Sequence, residues 1–218
     1  NPSLARVHYN LGVAYREQGR VDEGISEYQA AIRANPDYAE AYYNLGVAYW
    51  QRGRWSDAIR QFEAALRSNP DYAEAHYNLG EAYRQLGRLD EAIYEFQAAL
   101  RTDPHFAMAH GNLGAIYGQQ ARLDESIREF KAALRLDPDG APWHCNLGTA
   151  YVQQGRWNEA IREYQAALRI DPDLPEAYLG LGWVFRSQGR LDEAARFLGT
   201  AADLGNSEAA ALLAEMGM

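Results

Sequence analysis

The sequence predicts an all-α fold of stacked helix pairs, and three observations predict it. Leu-Gly returns every 34 residues, at Leu11-Gly12, Leu45-Gly46, Leu79-Gly80, Leu113-Gly114, Leu147-Gly148 and Leu181-Gly182. Proline keeps the same interval at Pro36, Pro70, Pro104, Pro138 and Pro172. Between these marks, small and apolar residues recur at the spacing of one helix face, as in Tyr42, Leu45, Gly46 and Tyr49, and a period of this length marks a repeat architecture.

Counting from Ala5, six copies of 34 residues run to Glu208. The predicted divisions are 5–38, 39–72, 73–106, 107–140, 141–174 and 175–208, with 1–4 as the remnant of a preceding copy and 209–218 as the C-terminal part of a terminal helix. Asn1-Pro2 stands where Asn35-Pro36 and Asn69-Pro70 stand, so the chain is expected to start in the tail of another copy, as a fragment of a longer array.

Each copy reads as two helices. The first packs through unit positions 4, 7, 8 and 11, which share a face at 100° per residue. It is predicted to stop at position 15, glycine in five copies (Gly19, Gly53, Gly87, Gly155, Gly189), because a left-handed helix end favours glycine. Ala121 holds that place in the fourth copy, which is therefore expected to be locally weakest. Position 18 reads Asp22, Ser56, Asp90, Asp124, Asn158 and Asp192; these side chains accept from free N–H groups, so they are predicted to cap the second helix. Position 20 is small (Gly24, Ala58, Ala92, Ser126, Ala160, Ala194) and is placed opposite the glycine at position 8. Position 24 is bulky: Tyr28, Phe62, Phe96, Phe130, Tyr164, Leu198. The proline at position 32 ends the second helix, since the residue before proline avoids helical geometry. One copy cannot bury its own apolar face, whereas stacked neighbours can. Ser207 to Met218 is predicted as a terminal helix whose Leu212, Leu213 and Met216 either cover the last copy imperfectly or await a further partner.

Composition narrows the function classes. Of 218 residues, 47% are hydrophobic, enough for a core, yet no run reaches the length of a membrane span. Lys and Arg number 21 against 30 Asp and Glu, a formal charge of −9, which disfavours nucleic acid because a binder needs a basic stripe. A single cysteine, Cys145, excludes an internal disulfide and a cysteine-based zinc site.

The Leu-Gly marks, the position-8 glycine, the small residue at 20, the bulky one at 24 and the proline at 32 together resemble the tetratricopeptide repeat over essentially the whole chain. The resemblance implies a right-handed α-α superhelix whose first helices line a concave groove. The stripe at positions 2, 5, 6, 9, 12 and 13 would then face a ligand. Position 6 is Asn10, Asn44, Asn78, Asn112 and Asn146, broken at Gly180; position 13 adds Gln51, Gln85, Gln119 and Gln153. An amide donates to and accepts from a peptide backbone at once. The rows are similar to the asparagine-ladder repeats of O-linked N-acetylglucosamine transferase, here without a catalytic domain, and that likeness implies backbone binding of extended peptides. The competing reading is that the ladder only joins one repeat to the next.

Position 5 divides the stripe. Tyr9, Tyr43 and Tyr77 line the first three copies, with Trp50 and Arg84 at position 12. Gly111, Ala115, Gly118, Cys145, Thr149 and Val152 then make a small-residue hollow, closed by Trp183. Exposed rings are common interaction anchors, though they also pack on neighbouring helices. Charge along the stripe is balanced, with Arg6, Arg16, Arg84 and Arg186 against Glu17, Glu40, Glu74, Glu81 and Glu176. The carboxylate clamp of chaperone-binding arrays fails, because position 5 is never Lys and position 6 never Arg. Amides alone are too weak: five hydrogen bonds at ~1 kcal/mol give about 5 kcal/mol, against ~1–2 kcal/mol per ordered peptide residue. With aromatic anchors added, an affinity around micromolar is expected.

Two tempting sites fail. His8, His76, His110 and His144 share position 4, but successive helices lie ~8–10 Å apart and zinc needs all ligands within ~2.1 Å. Asp57/Arg60, Glu125/Arg128, Glu159/Arg162 and Glu193/Arg196 are expected to be solvated pairs three residues apart on the second helix. Gly180-Leu181-Gly182 lacks the strand and turn of a nucleotide loop. No catalytic residue, cofactor site or metal site is read. The expected function is an interaction scaffold for a protein or extended peptide. The alternatives are the substrate-selecting arm of a larger enzyme, or a repeat protein that self-associates through its ends.

Overall fold

A computed structural model describes residues 1–217; the Met218 end of the predicted terminal helix lies outside them. The chain divides into two compact units, Asn1–Ala109 and His110–Met218. The first contains α1 (Pro2–Glu17), α2 (Val21–Ala34), α3 (Ala39–Gln51), α4 (Trp55–Ser68), α5 (Ala73–Gln85) and α6 (Leu89–Thr102). Helix α7 (Ala107–Gln119) follows, then α8 (Leu123–Leu136), α9 (Ala141–Gln153), α10 (Trp157–Ile170), α11 (Pro175–Ser187), α12 (Leu191–Asp203) and α13 (Ser207–Glu215). In the first unit α1, α3 and α5 pack along α2, α4 and α6, and α2 and α4 pack on the next first helix; in the second, α9 and α11 do the same with α10 and α12, and α13 closes on α12.

The helices of a pair approach closely at position 8. A Cβ on Gly46 would stand 2.6 Å from the Phe62 ring, and Gly12 with Tyr28 and Gly148 with Tyr164 repeat the contact. The ring at position 24 therefore lies across the glycine, and that side chain is fully buried at Tyr28, Phe62, Phe96 and Leu198. Position 20 does face position 8: Ser126 Oγ donates to the Gly114 carbonyl at 2.7 Å.

The turn between paired helices is closed by a device that the sequence reading missed. Gly19, Gly53, Gly87, Gly155 and Gly189 take positive φ, and Ala121 takes it too, at 57°. The second helices then start at position 17, two residues earlier than predicted, and the residue before each start makes no side-chain cap. Asp22, Asp90, Asp124 and Asp192 thus sit inside the first turn, where a carboxylate favours the positive helix end through charge instead of capping it. Position 16 is arginine in every copy. Arg20, Arg54, Arg88, Arg122, Arg156 and Arg190 each lie 4.2–4.4 Å over the ring at position 11 of the preceding helix. Each also binds the acid at position 19. This corrects the expected pairs on the second helix: Glu125, Glu159 and Glu193 turn back to Arg122, Arg156 and Arg190, while Asp57 bonds both Arg54 and Arg60. The acid closest to the turn meets the guanidinium that already sits over the ring, so the pre-ordered partner wins.

The second helices end where proline requires. Asn35, Asn69, Asp103, Asp137 and Asp171 leave helical geometry for the extended region. Asn1 caps α1, accepting from Ser3 N at 3.2 Å, and Pro2 occupies the first turn of that helix. The pair Asn1-Pro2 therefore starts a helix here, unlike Asn35-Pro36. At the other end Leu212, Leu213 and Met216 pack against Leu198, Ala201 and Ala209.

Candidate functional site

In the Asn1–Ala109 unit the asparagines and tyrosines of the stripe meet each other. The Tyr9 ring lies 5.1 Å from Tyr38, and its hydroxyl accepts from Asn44 Nδ2 at 3.1 Å. One repeat on, the Tyr43 ring lies 4.9 Å from Tyr72 and accepts from Asn78 Nδ2 at 2.9 Å. The Tyr77 ring continues the series against Phe106 at 4.7 Å. Each such asparagine holds the ring of the copy before it. Asn44 is buried and also donates to the Glu40 carbonyl at 3.0 Å, so a guest chain would reach it through Oδ1. Desolvation pushes the Tyr43 phenol above its ordinary range, with the Glu74 charge adding in the same direction. Asn10, Gln51 and Gln85 stand exposed on this unit, while Trp50 lies half-buried, edge-on to Trp55 at 4.6 Å. Arg84 is held by both Glu81 carboxylate oxygens at 2.9 Å.

The His110–Met218 unit is built differently. The ring pair seen as Tyr9/Tyr38 and Tyr43/Tyr72 becomes Gly111/Gly140 in the fourth copy, and Trp143 stands where other copies carry Ala41, Ala75, Ala109 and Ala177. A Cβ on Gly111 would lie 2.5 Å from Trp143 Nε1, and one on Gly140 would run into the same indole. One large side chain thus replaces two. It leaves the stripe beyond it unfilled. A cavity of about 250 Å³ lies between α7 and α9, lined by Ala115, Gly118, Gln119, Asn146 and Gln153 among others. A second, of about 610 Å³, lies between α9 and α11 and reaches Glu208 of α13. The two share Asn146, Thr149 and Gln153.

No tyrosine precedes Asn146 at position 5, so nothing draws its amide inward. Asn146 and Gln153 are exposed and, among the described residues, neither side-chain amide makes a hydrogen bond; Gln119 is exposed beside them and Asn112 half-buried. Thr149 Oγ1 donates to the Cys145 carbonyl at 3.2 Å and lies 3.1 Å from the Tyr164 hydroxyl. Burial pushes the Tyr164 phenol up to about 12. Burial also pushes the Cys145 thiol up to about 12, with the Glu176 charge a second cause, so this cavity-wall thiol is a poor nucleophile. Trp183 is 42% exposed at the mouth, its ring 6.1 Å from Trp157. Sequence reading missed Trp143, Tyr164 and Glu208 here. The available signal was the double glycine at 111 and 140 paired with a tryptophan in an alanine position.

The position-4 histidines each have a carboxylate of their own repeat. Nδ1 of His8, His76, His110 and His144 lies 2.6, 2.6, 2.7 and 2.7 Å from Glu27, Glu95, Glu129 and Glu163. Each histidine thus joins the two helices of one pair. No helix among the described residues is long and apolar enough to cross a membrane.

The comparisons agree with this architecture. The family model described as the cilia and flagella-associated protein 70 C-terminal domain matches residues 2–216. A crystal structure of MamA is similar at TM-score 0.72 and 25% identity, covering 78% of this chain and 93% of that one. PilF of Pseudomonas aeruginosa reaches TM-score 0.83 at 19% identity over 98% of both chains. YrrB, described as a TPR protein with an unusual peptide-binding site, reaches 0.74 at 21% identity, covering 87% of this chain and 97% of that one. The fold is the all-α tetratricopeptide-repeat solenoid. No curated protein sequence matches the chain.

Proposed function

The chain belongs to the cilia and flagella-associated protein 70 C-terminal domain family, built on tetratricopeptide repeats, and from that premise we propose that it is an interaction scaffold for an extended peptide or partner segment. The observation that carries this reading is the pair of adjoining cavities in the His110–Met218 unit, where the unbonded amides of Asn146 and Gln153 stand beside the exposed Trp183 indole. Amides bind a peptide backbone whatever its sequence, and the indole adds apolar burial that the amides lack. The scaffold acts by binding, without covalent chemistry. Within the Asn1–Ala109 unit, the exposed amides of Asn10, Gln51 and Gln85 offer a peptide contacts of the same chemistry.

Peptides selected from a random displayed library against the whole chain test this. Asn146→Ala with Gln153→Ala should weaken a selected peptide by on the order of tenfold or more, the loss of one to two hydrogen bonds. Unchanged affinity in a variant with unchanged melting behaviour would remove these amides from the mechanism.

A second reading, self-association through the first helix, is favoured by one observation. Leu4, Val7 and Leu11 are 48%, 55% and 44% exposed, whereas Leu45 and Leu79 at the place of Leu11 are 3% and 2% exposed. Light scattering over a concentration series tests it, and a monomer throughout would end it.

A further inference from the structure

The larger cavity of the His110–Met218 unit combines two features that recur nowhere else in the repeat pattern. Trp183 occupies position 9, where the other copies carry Val13, Val47, Glu81, Ala115 and Thr149. Glu208 occupies position 34, where they carry Tyr38, Tyr72, Phe106, Gly140 and Leu174. A carboxylate thus stands at a place that other copies give to a ring or an apolar side chain, and it lines the cavity together with Glu176 and Trp183. Both carboxylates are exposed and neither has an ion-pair partner among the described residues. No lysine or arginine lines either cavity of this unit; the nearby Arg186 is committed to Glu215 at 3.1 Å. A carboxylate in the first turn of a helix gains from the helix dipole, which accounts for Glu176 and Glu208 being acidic. It does not account for their sharing a cavity wall with an uncovered indole.

We infer that this cavity takes a basic side chain of the bound peptide, an arginine or a lysine. Glu176 and Glu208 are the charged groups of the wall and both are complementary to a cation, and the indole face attracts the same cation. Arginine suits it best: the guanidinium stacks on an aromatic plane while its edge donates to carboxylates, and Arg190 already sits over the Phe185 ring at 4.3 Å. Asn146 and Gln153 at the shared wall would hold the peptide backbone on either side. The polarity is opposite to that of a carboxylate clamp.

This inference rests on the peptide-binding reading, and the experiment separates the two. Peptides selected on the whole chain are sequenced, and the strongest binder is resynthesised with citrulline for arginine, or acetyl-lysine for lysine. Its affinity is measured against the unaltered chain, Glu176→Gln with Glu208→Gln, and Asn146→Ala with Gln153→Ala, each checked for its melting temperature. We expect a basic residue in the selected sequences, and a loss on the order of tenfold or more, by citrulline or by the glutamine pair alike. Combining the two changes should add little further, since both remove one interaction. A binder that depends on Asn146 and Gln153 but ignores both charge changes overturns the basic-residue assignment and leaves the scaffold reading standing. Failure to select any binding peptide removes both.

Discussion

The Trp143 indole fills the space that a side chain on Gly111 would need, with Nε1 2.5 Å from where that Cβ would stand. The two residues form one packing decision. Gly111→Ala should therefore cost about 1–3 kcal/mol by overpacking against a rigid ring. Trp143→Ala alone should cost about 2–3 kcal/mol through the void it leaves. Gly111→Tyr combined with Trp143→Ala restores the arrangement of Tyr9, Tyr43 and Tyr77, and should be more stable than the sum of its parts by about 1 kcal/mol or more. Denaturant melts of the unaltered chain, Gly111→Tyr, Trp143→Ala and the double variant read this out; strict additivity would show that the two sites are independent.

Ala121 takes φ 57° in a turn where five other copies place glycine. A Cβ in this conformation costs roughly 1 kcal/mol. Ala121→Gly should therefore stabilise the chain by up to about 1 kcal/mol, offset in part by the greater freedom of glycine in the unfolded chain. Hydrogen exchange of Arg122, whose amide donates to the Tyr117 carbonyl at 2.9 Å, should slow in the variant. Faster exchange, or a lower melting temperature, would contradict the assignment of strain to this turn.

Tyr28 and Tyr164 occupy the same place in their repeats with opposite consequences. The Tyr28 hydroxyl is buried with no partner at hydrogen-bond geometry; burial raises its phenol to about 12, and Arg16 beside it opposes that rise only in part. Phe62, Phe96 and Phe130 fill that place elsewhere. Tyr28→Phe should accordingly be neutral or stabilising by up to about 1–2 kcal/mol, because it removes an unsatisfied buried group. Tyr164→Phe should destabilise by about 1 kcal/mol, because it removes the hydrogen bond that the buried hydroxyl makes with Thr149 Oγ1 at 3.1 Å. Equal effects from the two substitutions would contradict this contrast.

Cys145 gives the pH dependence. Its thiol is pushed up to about 12, chiefly by burial. At pH 8 the thiolate fraction is then about 10⁻⁴, so alkylation should run on the order of a thousandfold slower than for a free thiol of pKa ~8.5. The sign for stability follows. Above pH ~8.5 the unfolded thiol loses its proton while the folded one keeps it, so the folded state binds more protons and stability falls as pH rises toward 12. Cys145→Ala should flatten that alkaline limb. Iodoacetamide labelling at the rate of a free thiol would show that the site is open.

Much of the fold was legible because its signals are local and recur in five or six copies: a glycine stop, a proline stop and a helix-period apolar face need no partner to be read. What escaped needed two elements at once. Asp22 looks like a cap in isolation, but the turn brings Arg20 over Tyr15 and starts the helix two residues earlier. The asparagine row was visible as a row; that Asn44 and Asn78 hold Tyr9 and Tyr43 depends on how consecutive repeats stack. The hollow could be anticipated from Gly111, Gly118 and Cys145, while its partial filling by Trp143 could not, since that contact spans two helices.

The histidine pairs show what comparison between copies can recover. Wherever position 4 is histidine, position 23 is glutamate, as in His76 and Glu95 at 2.6 Å; where position 4 is Tyr42 or Tyr178, position 23 is Gln61 or Phe197. The two positions therefore behave as a unit across one helix pair. His76→Tyr alone leaves the Glu95 carboxylate, 12% exposed, without its partner, and should cost about 1–3 kcal/mol. Adding Glu95→Gln reproduces the pairing of the second copy and should return most of that loss, a coupling of about 1–2 kcal/mol in a double-mutant cycle. Thermal melts of the two single variants and the double variant measure it. A double variant no more stable than His76→Tyr alone would mean that the histidine acts on its own, and that its recurrence beside glutamate reflects no shared packing.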